Sequence, residues 1–304
     1  METGSLENRT RDSNTGLLGN WRDVRDHVRR RGARRVVSEV AGEFRRNKLL
    51  TYASAMSYQL LFALVPAALA AVAVLGFLDL SSVWQDEVAP EVRERVSSAA
   101  FQVLDDTVRR VLGAQQGYWV TLGLAFALWQ LSGALRATMG ALNDIYSVRD
   151  DRTLVRRIAV SLALAAAGAV AGVAAIVMLQ VVPRLPAVGE GALGTAATAA
   201  SWLLAFVLLV LLVGTVLRFA PAAPQSLEWL GFATTVVVVG WLAASAGFAA
   251  WSVELVSYGS IYGGFAAVIL LMTYVYLLAV VFLAGVQLDA LVRTHARERH
   301  EGGS

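Results

Sequence analysis

The sequence predicts an all-α, polytopic integral membrane protein with six transmembrane helices. Three observations predict it. No charged side chain occurs from Leu255 through Leu288, thirty-four positions closed by Asp289 and Arg293. A helix rising ~1.5 Å per residue crosses a bilayer's ~30 Å hydrocarbon core in about 20 apolar residues, so the solvent of this segment is lipid. The chain as a whole is 57% hydrophobic and 16% charged, with a mean hydropathy of +0.57, more apolar than one soluble core requires. Long hydrophobic windows also recur, at 49–78, 118–139, 158–182, 197–217, 229–251 and 261–288.

The elements follow in order along 304 residues. Residues 1–20 read as a disordered tail. Over 21–48, Trp21, Val24, Val28, Val36, Val40 and Phe44 recur mostly at helical spacing among arginines, which suits an amphipathic elbow helix on an anionic membrane surface. A basic run of this kind would also fit a protein or nucleic-acid partner, but it lacks interleaved base-stacking aromatics, so membrane lipids are the expected partner and no nucleic acid is expected. The membrane domain spans 49–290 and a short tail, 291–304, closes the chain. The first window begins too late and runs too long for a cleaved signal peptide.

Between the first two spans, residues 80–117 are helical in pattern, with Val92, Val96, Val103, Leu104, Val108 and Leu112 set against Arg93, Glu94, Asp105, Asp106, Arg109 and Arg110. This extracytoplasmic segment reads as a cap on the bundle, a lid, or a docking surface. Basic residues fix the orientation. With the amino terminus inside, twenty-one lysines and arginines fall on inner segments and five on outer ones, which places both termini in the cytoplasm.

Polar residues line up inside four of the apolar helices. At 100° per residue, Tyr262, Thr273, Tyr276 and Gln287 of the last span lie within an arc of about 60°. Ser132, Arg136 and Asn143 share a face of the second span with Trp129, while Ser245 aligns with Thr234 and Trp241 in the fifth and Ser57 and Tyr58 cluster in the first. An unpaired polar group is costly in hydrocarbon, so these faces should meet one another or a water-filled space. Interhelical hydrogen bonding is the plainer reading and a polar cavity the sharper one. Arg136 and Arg218, near the inner ends of their spans, either snorkel toward headgroups or contact an anion at a cavity mouth. Gly168 and Gly172 form a GxxxG step suited to close helix packing.

Several chemistries have no signature here. Without cysteine there are no disulfides or thiolate sites, and all three histidines, His27, His295 and His300, lie outside the hydrophobic windows. No phosphate-binding GxxxxGK[ST] loop, HExxH or GxSxG occurs, and no intramembrane carboxylate pair suggests a pump. We therefore expect no enzyme activity and no cofactor. Asp144, Glu254 and Asp289 stand only at helix ends.

Four stretches together resemble the YihY/BrkB family of bacterial inner-membrane proteins, long mislabelled as ribonuclease BN. They are Tyr52-Ala-Ser-Ala-Met-Ser-Tyr58 leading to Pro66, then Ala141-Leu-Asn-Asp-Ile-Tyr146 followed by Arg152, then Arg218-Phe-Ala-Pro221, and lastly Tyr258-Gly-Ser-Ile-Tyr-Gly-Gly264 with Gly285-Val-Gln-Leu-Asp289. The resemblance covers about residues 35–292. It implies a helical fold of the bacterial cytoplasmic membrane with an amino-terminal elbow helix and a role in export or envelope maintenance. Two positions depart from the family pattern: Leu217 replaces an aromatic, and Gln287 stands where relatives often have an acid. Proton coupling at that acid is therefore not expected here.

The leading expectation is a transporter-like protein moving a small polar or amphiphilic solute, or a lipid component. A non-transporting scaffold for envelope assembly is the alternative, and a membrane ribonuclease the third. A reporter fused after Ser304 should be active only in the cytoplasm; one accessible from outside would reverse the topology.

Overall fold

The computed structural model describes residues 33–77, 82–95, 98–113, 117–180, 191–223, 227–256 and 264–301. All its regular structure among these residues is helical. The first helix, α1, spans Ala33–Arg46 and turns sharply into α2, Leu49–Phe77. A π-helical turn at Val83–Val88, α3 at Ala89–Arg95 and α4 at Ser98–Gly113 fill the region between the first two long helices. The remaining helices are α5, Gly117–Ile145; α6, Leu154–Gln180; α7, Ala192–Phe219; α8, Leu227–Val256; and α9, Gly264–Glu301. The expected tail at 1–20 and the Tyr258–Gly263 stretch, with Tyr262, lie outside the described residues.

Six long helices close into a ring. In sequence α2 packs on α5, α5 on α6, α6 on α7, α7 on α8, α8 on α9, and α9 returns to α2. The α2–α5 pair is the most extensive of these contacts, and glycines explain how close it is. A side chain at Gly140 would run into the Tyr52 ring at 2.8 Å, and one at Gly123 would press on the Ala70 backbone at 3.2 Å. Five of the six helices (α2, α6, α7, α8 and α9) are long and apolar enough to cross a membrane. The expected sixth crossing, α5, matches α2 in length at 29 residues but carries Gln130, Ser132 and Arg136 along its course.

The elbow is a turn at Asn47 and Lys48. Lys48 takes a left-handed conformation (φ 51°) and its N–H bonds to the Arg45 carbonyl at 3.2 Å, ending α1. A non-glycine residue there costs about 1–2 kcal/mol, a strain held by contacts on both sides. Phe44 of α1 packs on the common core, and the Asn47 side chain bonds to Gln287 of α9.

That core is unevenly placed. Leu49, Met56, Met139, Leu142, Leu164, Val213, Leu217, Val237, Phe282, Leu283 and Val286 are buried together, and every one belongs to the same half of the ring. In the other half wide faces of individual helices are exposed. Residues 268, 269, 271, 272 and 273 of α9 are all exposed, as are 121, 122, 124, 125 and 126 of α5 and 202, 203 and 204 of α7. At 100° per residue each run covers an arc of about 200°, and the remaining side holds the less exposed Gly123 and Ala127 of α5, Ser201 of α7 and Leu270 of α9. The helices pack closely at one end and less closely toward the other, where Ala70, Ala73 and Ala127 still keep α2 on α5. The GxxxG step shows the same change: Gly168 meets Leu212 at 3.7 Å, whereas Gly172 has nothing within 4 Å, so the expected close packing holds at one glycine only.

The inserted segment folds on the less closely packed half. Trp84, Val108 and Leu112 form a small core against Val72 of α2. The Trp84 indole donates to Asp105 at 2.9 Å and Arg109 donates to the other Asp105 oxygen at 2.7 Å. These two bonds, the indole's first, hold the Asp105 carboxyl below its ordinary value.

Candidate functional site

The packed end of the ring is also its basic end. Here the turn after α1, the α5–α6 loop, the end of α7 and the last turns of α9 meet, bringing Arg46, Lys48, Arg149, Arg152, Arg156, Arg157, Arg218 and Arg293 to one rim. Beneath the rim lies a layer of buried polar side chains that bond between helices.

The α5–α6 loop organises that layer. Helix α5 ends with Ser147 in the left-handed region (φ 52°), and Val148 N–H bonds back to the Asn143 carbonyl at 2.9 Å. The buried Asn143 side chain accepts from the Ala222 N–H at 2.8 Å and donates to Asp150 at 3.4 Å. Asp150 in turn accepts from the Arg152 N–H at 3.2 Å. The Arg152 guanidinium reaches across to α7, donating to the carbonyls of Ala220 at 3.1 Å, Phe219 at 3.4 Å and Pro221. Pro221 cannot continue a helix, so α7 stops there with open carbonyls, and a cation is the fitting cap. Asn143 in the last turn of α5 and Arg152 of the loop thus fasten the end of α7.

Two further links close the layer on the α2 and α9 side. Tyr52 donates to Asp144 at 2.7 Å, joining α2 to α5, and Asn47 donates to the buried Gln287 at 3.1 Å, joining the elbow to α9. Two residues further on, Asp289 is fully buried and paired with Arg293 at 2.7 Å, and Tyr146 donates to the same carboxylate oxygen at 3.4 Å. The Arg293 guanidinium stands 5.5 Å from the Tyr146 ring centroid. Burial, followed by the adjacent carboxylate, pushes the Tyr146 phenol upward, so it remains a proton donor. The other Asp289 oxygen is buried without a hydrogen-bond partner.

The residues picked from the sequence divide into three groups. Asn143 and Gln287 belong to the polar layer, and Arg218 lies at its edge with its guanidinium 5.7 Å from the Phe219 ring. Midway along the ring, Ser132 and Ser161 share a bond of 2.7 Å between α5 and α6, Arg136 donates to Ser132 at 2.6 Å and lies over Trp129, and Ser245 bonds to Tyr274 at 2.9 Å between α8 and α9. The buried Ser57 turns its hydroxyl to its own helix, at the Ser54 carbonyl. In the third group Thr273 is exposed and bonds within its helix, Tyr276 packs on the core, and Tyr58 is exposed beside Phe62. Ser132, Asn143, Ser245 and Gln287 thus bond to residues outside the predicted stripes, and none of these bonds joins one stripe to another.

Sequence reasoning left Asn47, Tyr52, Asp150, Arg152, Arg293 and Tyr146 out of the candidate site. The signal was present in another form. Of the stretches used for the family resemblance, Tyr52, Asn143 to Tyr146 with Arg152, Arg218 to Pro221, and Gln287 with Asp289 converge on this one end. Open pockets flank the layer, one of 470 Å³ between Asn47, Lys48, Asn143 and Arg149, and another of 480 Å³ between Arg152, Arg156 and Arg218. Among the described residues, no three His, Cys, Asp or Glu side chains group as metal ligands.

Comparison with known proteins gives the family. The model described as "Virulence factor BrkB" matches residues 40–304. This chain belongs to the BrkB family. Within the described residues, the BrkB family match takes in the whole helical ring and the polar layer. YfkH of Bacillus subtilis (strain 168), whose name calls it ribonuclease-like, is 23% identical over 257 residues, 80% of this chain and 89% of that protein. No solved structure matches. This BrkB-family chain is thus a polytopic, helical, multi-pass membrane protein.

The α7 fastening carries a stability consequence. Arg152→Gln should lower resistance to unfolding in detergent by about 2–3 kcal/mol, since hydrogen bonds from a charged donor to buried carbonyls are lost. Arg149→Gln, at a side chain 93% exposed, should stay within about 0.5 kcal/mol of the parent. Equal effects of the two would remove Arg152 from its role.

Proposed function

We propose that this protein is a transporter-like component of the bacterial cytoplasmic membrane, with six crossings and both termini in the cytoplasm. It moves a small polar or amphiphilic solute, or a lipid component, in export or envelope maintenance. The role is not catalytic and uses neither a cofactor nor a nucleic-acid partner.

One observation carries this reading: the ring is sealed at its basic end by side-chain bonds and packs less closely at the other. The bonds at the sealed end suit a gate, because interhelical hydrogen bonds in membrane proteins contribute only ~0.6 kcal/mol each on average and can exchange partners. Twenty-one of the twenty-six basic residues fall on the side that includes this end, which supports a cytoplasmic gate and an outward-open ring. α5, with the length of its neighbours and contacts to both α2 and α6, is the sixth crossing.

The second reading, a scaffold for envelope assembly, draws support from the inserted segment. A 670 Å³ pocket lies between α3 and α4, lined by Pro90, Arg93, Phe101 and Asp105, and the bonded Ser132–Ser161 and Ser245–Tyr274 pairs resemble static packing. The ribonuclease-like name of the Bacillus relative is the sole support for a nuclease, which would need an acid-base pair at its site.

Flux through proteoliposomes separates these. The protein should release at least one class among small polar solutes and labelled lipids. The double variant Asn47→Ala/Gln287→Leu, which loosens the gate by about 1 kcal/mol, should speed that release about fivefold. An absence of flux for every class, or a rate indifferent to the gate variant, would favour the scaffold.

A further inference from the structure

Two cavities on the outer surface of the ring are continuous. One is an apolar groove of 620 Å³ between α7 and α8, lined by Phe206, Val210, Gly214 and Arg218 at intervals of four residues on α7 and by Thr234 and Val238 on α8. The other is the 480 Å³ pocket at the basic end, whose charged lining is Arg149, Arg152, Arg156, Arg218 and Asp151. Arg218 and Phe219 line both.

The charged lining of the pocket is four arginines and one carboxylate. Arg152 spends its guanidinium on the α7 carbonyls, and Asp151 approaches Arg149 only at 3.7 Å, with both side chains largely exposed. Arg149, Arg156 and Arg218, from two separate segments, therefore converge on one space. The groove has the opposite character and a fitting length. From Phe206 to Arg218 it runs about 18 Å, close to the depth of one leaflet of a ~30 Å hydrocarbon core. Its floor is open at Gly214, where an added Cβ would meet nothing nearer than the Thr234 hydroxyl at 3.8 Å. Beside Arg156 the apolar Leu154 and Val155 are 76% and 79% exposed, extending an oily lip around the pocket.

We propose that groove and pocket together bind one anionic phospholipid, with an acyl chain along α7–α8 and the phosphate among Arg149, Arg156 and Arg218. Arginine forks suit phosphate oxygens, and the apolar groove begins where the arginine pocket ends. A free phosphate would use the pocket without the groove, and a neighbouring protein helix would use the groove without the pocket. The site goes beyond the transport reading, because binding is measured without flux and each can fail alone.

The test is a lipid titration of the delipidated full-length protein in detergent, read by native mass spectrometry, with phosphatidylglycerol and phosphatidylcholine of identical chains. Phosphatidylglycerol should bind more tightly. Arg156→Gln, at an exposed side chain, should weaken it about fivefold, and Arg156→Gln/Arg218→Gln about thirtyfold. Gly214→Leu should weaken both lipids by filling the groove, and inorganic phosphate should displace neither. Equal affinity for the two lipids, no loss in Arg156→Gln, competition by inorganic phosphate, or a lipid-free dimer would each overturn the proposal.

Discussion

A polar side chain inside a bilayer must find a partner, and in this protein the most connected set of partners is gathered at one end, with the Ser132–Ser161 and Ser245–Tyr274 bonds midway. Asn47, Tyr52, Asn143, Asp144, Arg152 and Gln287 bond between elements far apart in sequence, fastening the elbow, α2, α5, α7 and α9 at a single level. The apolar core lies in the same half of the ring, so polar and hydrophobic cohesion reinforce one another there. Elsewhere in the ring neither is strong. The looser packing there follows from this imbalance, because long apolar helices gain little hydrophobic driving force from one another when lipid is the alternative.

The same imbalance links structure to function. Small glycine contacts let α2 and α5 approach closely and act as a fixed pair, while α7 is held through its C-terminal carbonyls by Arg152 and Asn143. Helices held at one end and less closely packed at the other can change their separation by trading a few hydrogen bonds. The buried Asp289–Arg293 pair stands in contrast. Taking one partner from such a pair costs about 3–5 kcal/mol, so it reads as a fixed anchor of α9 beside the exchangeable Asn47–Gln287 contact.

The helices were legible from hydropathy because lipid imposes a length that no soluble core demands. Among the described residues of 80–117 the structure is helical, and the alternation of Val108 and Leu112 with charged residues is the pattern of a helix covering Trp84. What hydropathy could not convey was depth. A helical wheel gives the face on which Ser132, Asn143 and Gln287 lie but not the level at which each meets another helix, so a stripe suggesting one long cavity became several separate contacts. Asn47 and Arg152 escaped notice because they sit in turns, where no periodicity marks them. Their roles depend on loop geometry, including the left-handed Lys48 and Ser147, which sequence alone does not show.

Because the chain contains no cysteine, single thiols can be placed and read one at a time. The direct test of a ring sealed at one end and open at the other is therefore a cysteine scan of α9, labelled in sealed proteoliposomes with a membrane-impermeant maleimide, which needs a water-exposed thiolate. Among Val268→Cys, Ile269→Cys, Leu271→Cys, Met272→Cys and Thr273→Cys, the positions on the inner face should label at helical spacing, while Phe282→Cys, Leu283→Cys and Val286→Cys stay protected. Protection of every position from 268 to 273, or equal labelling of both sets, would contradict the account.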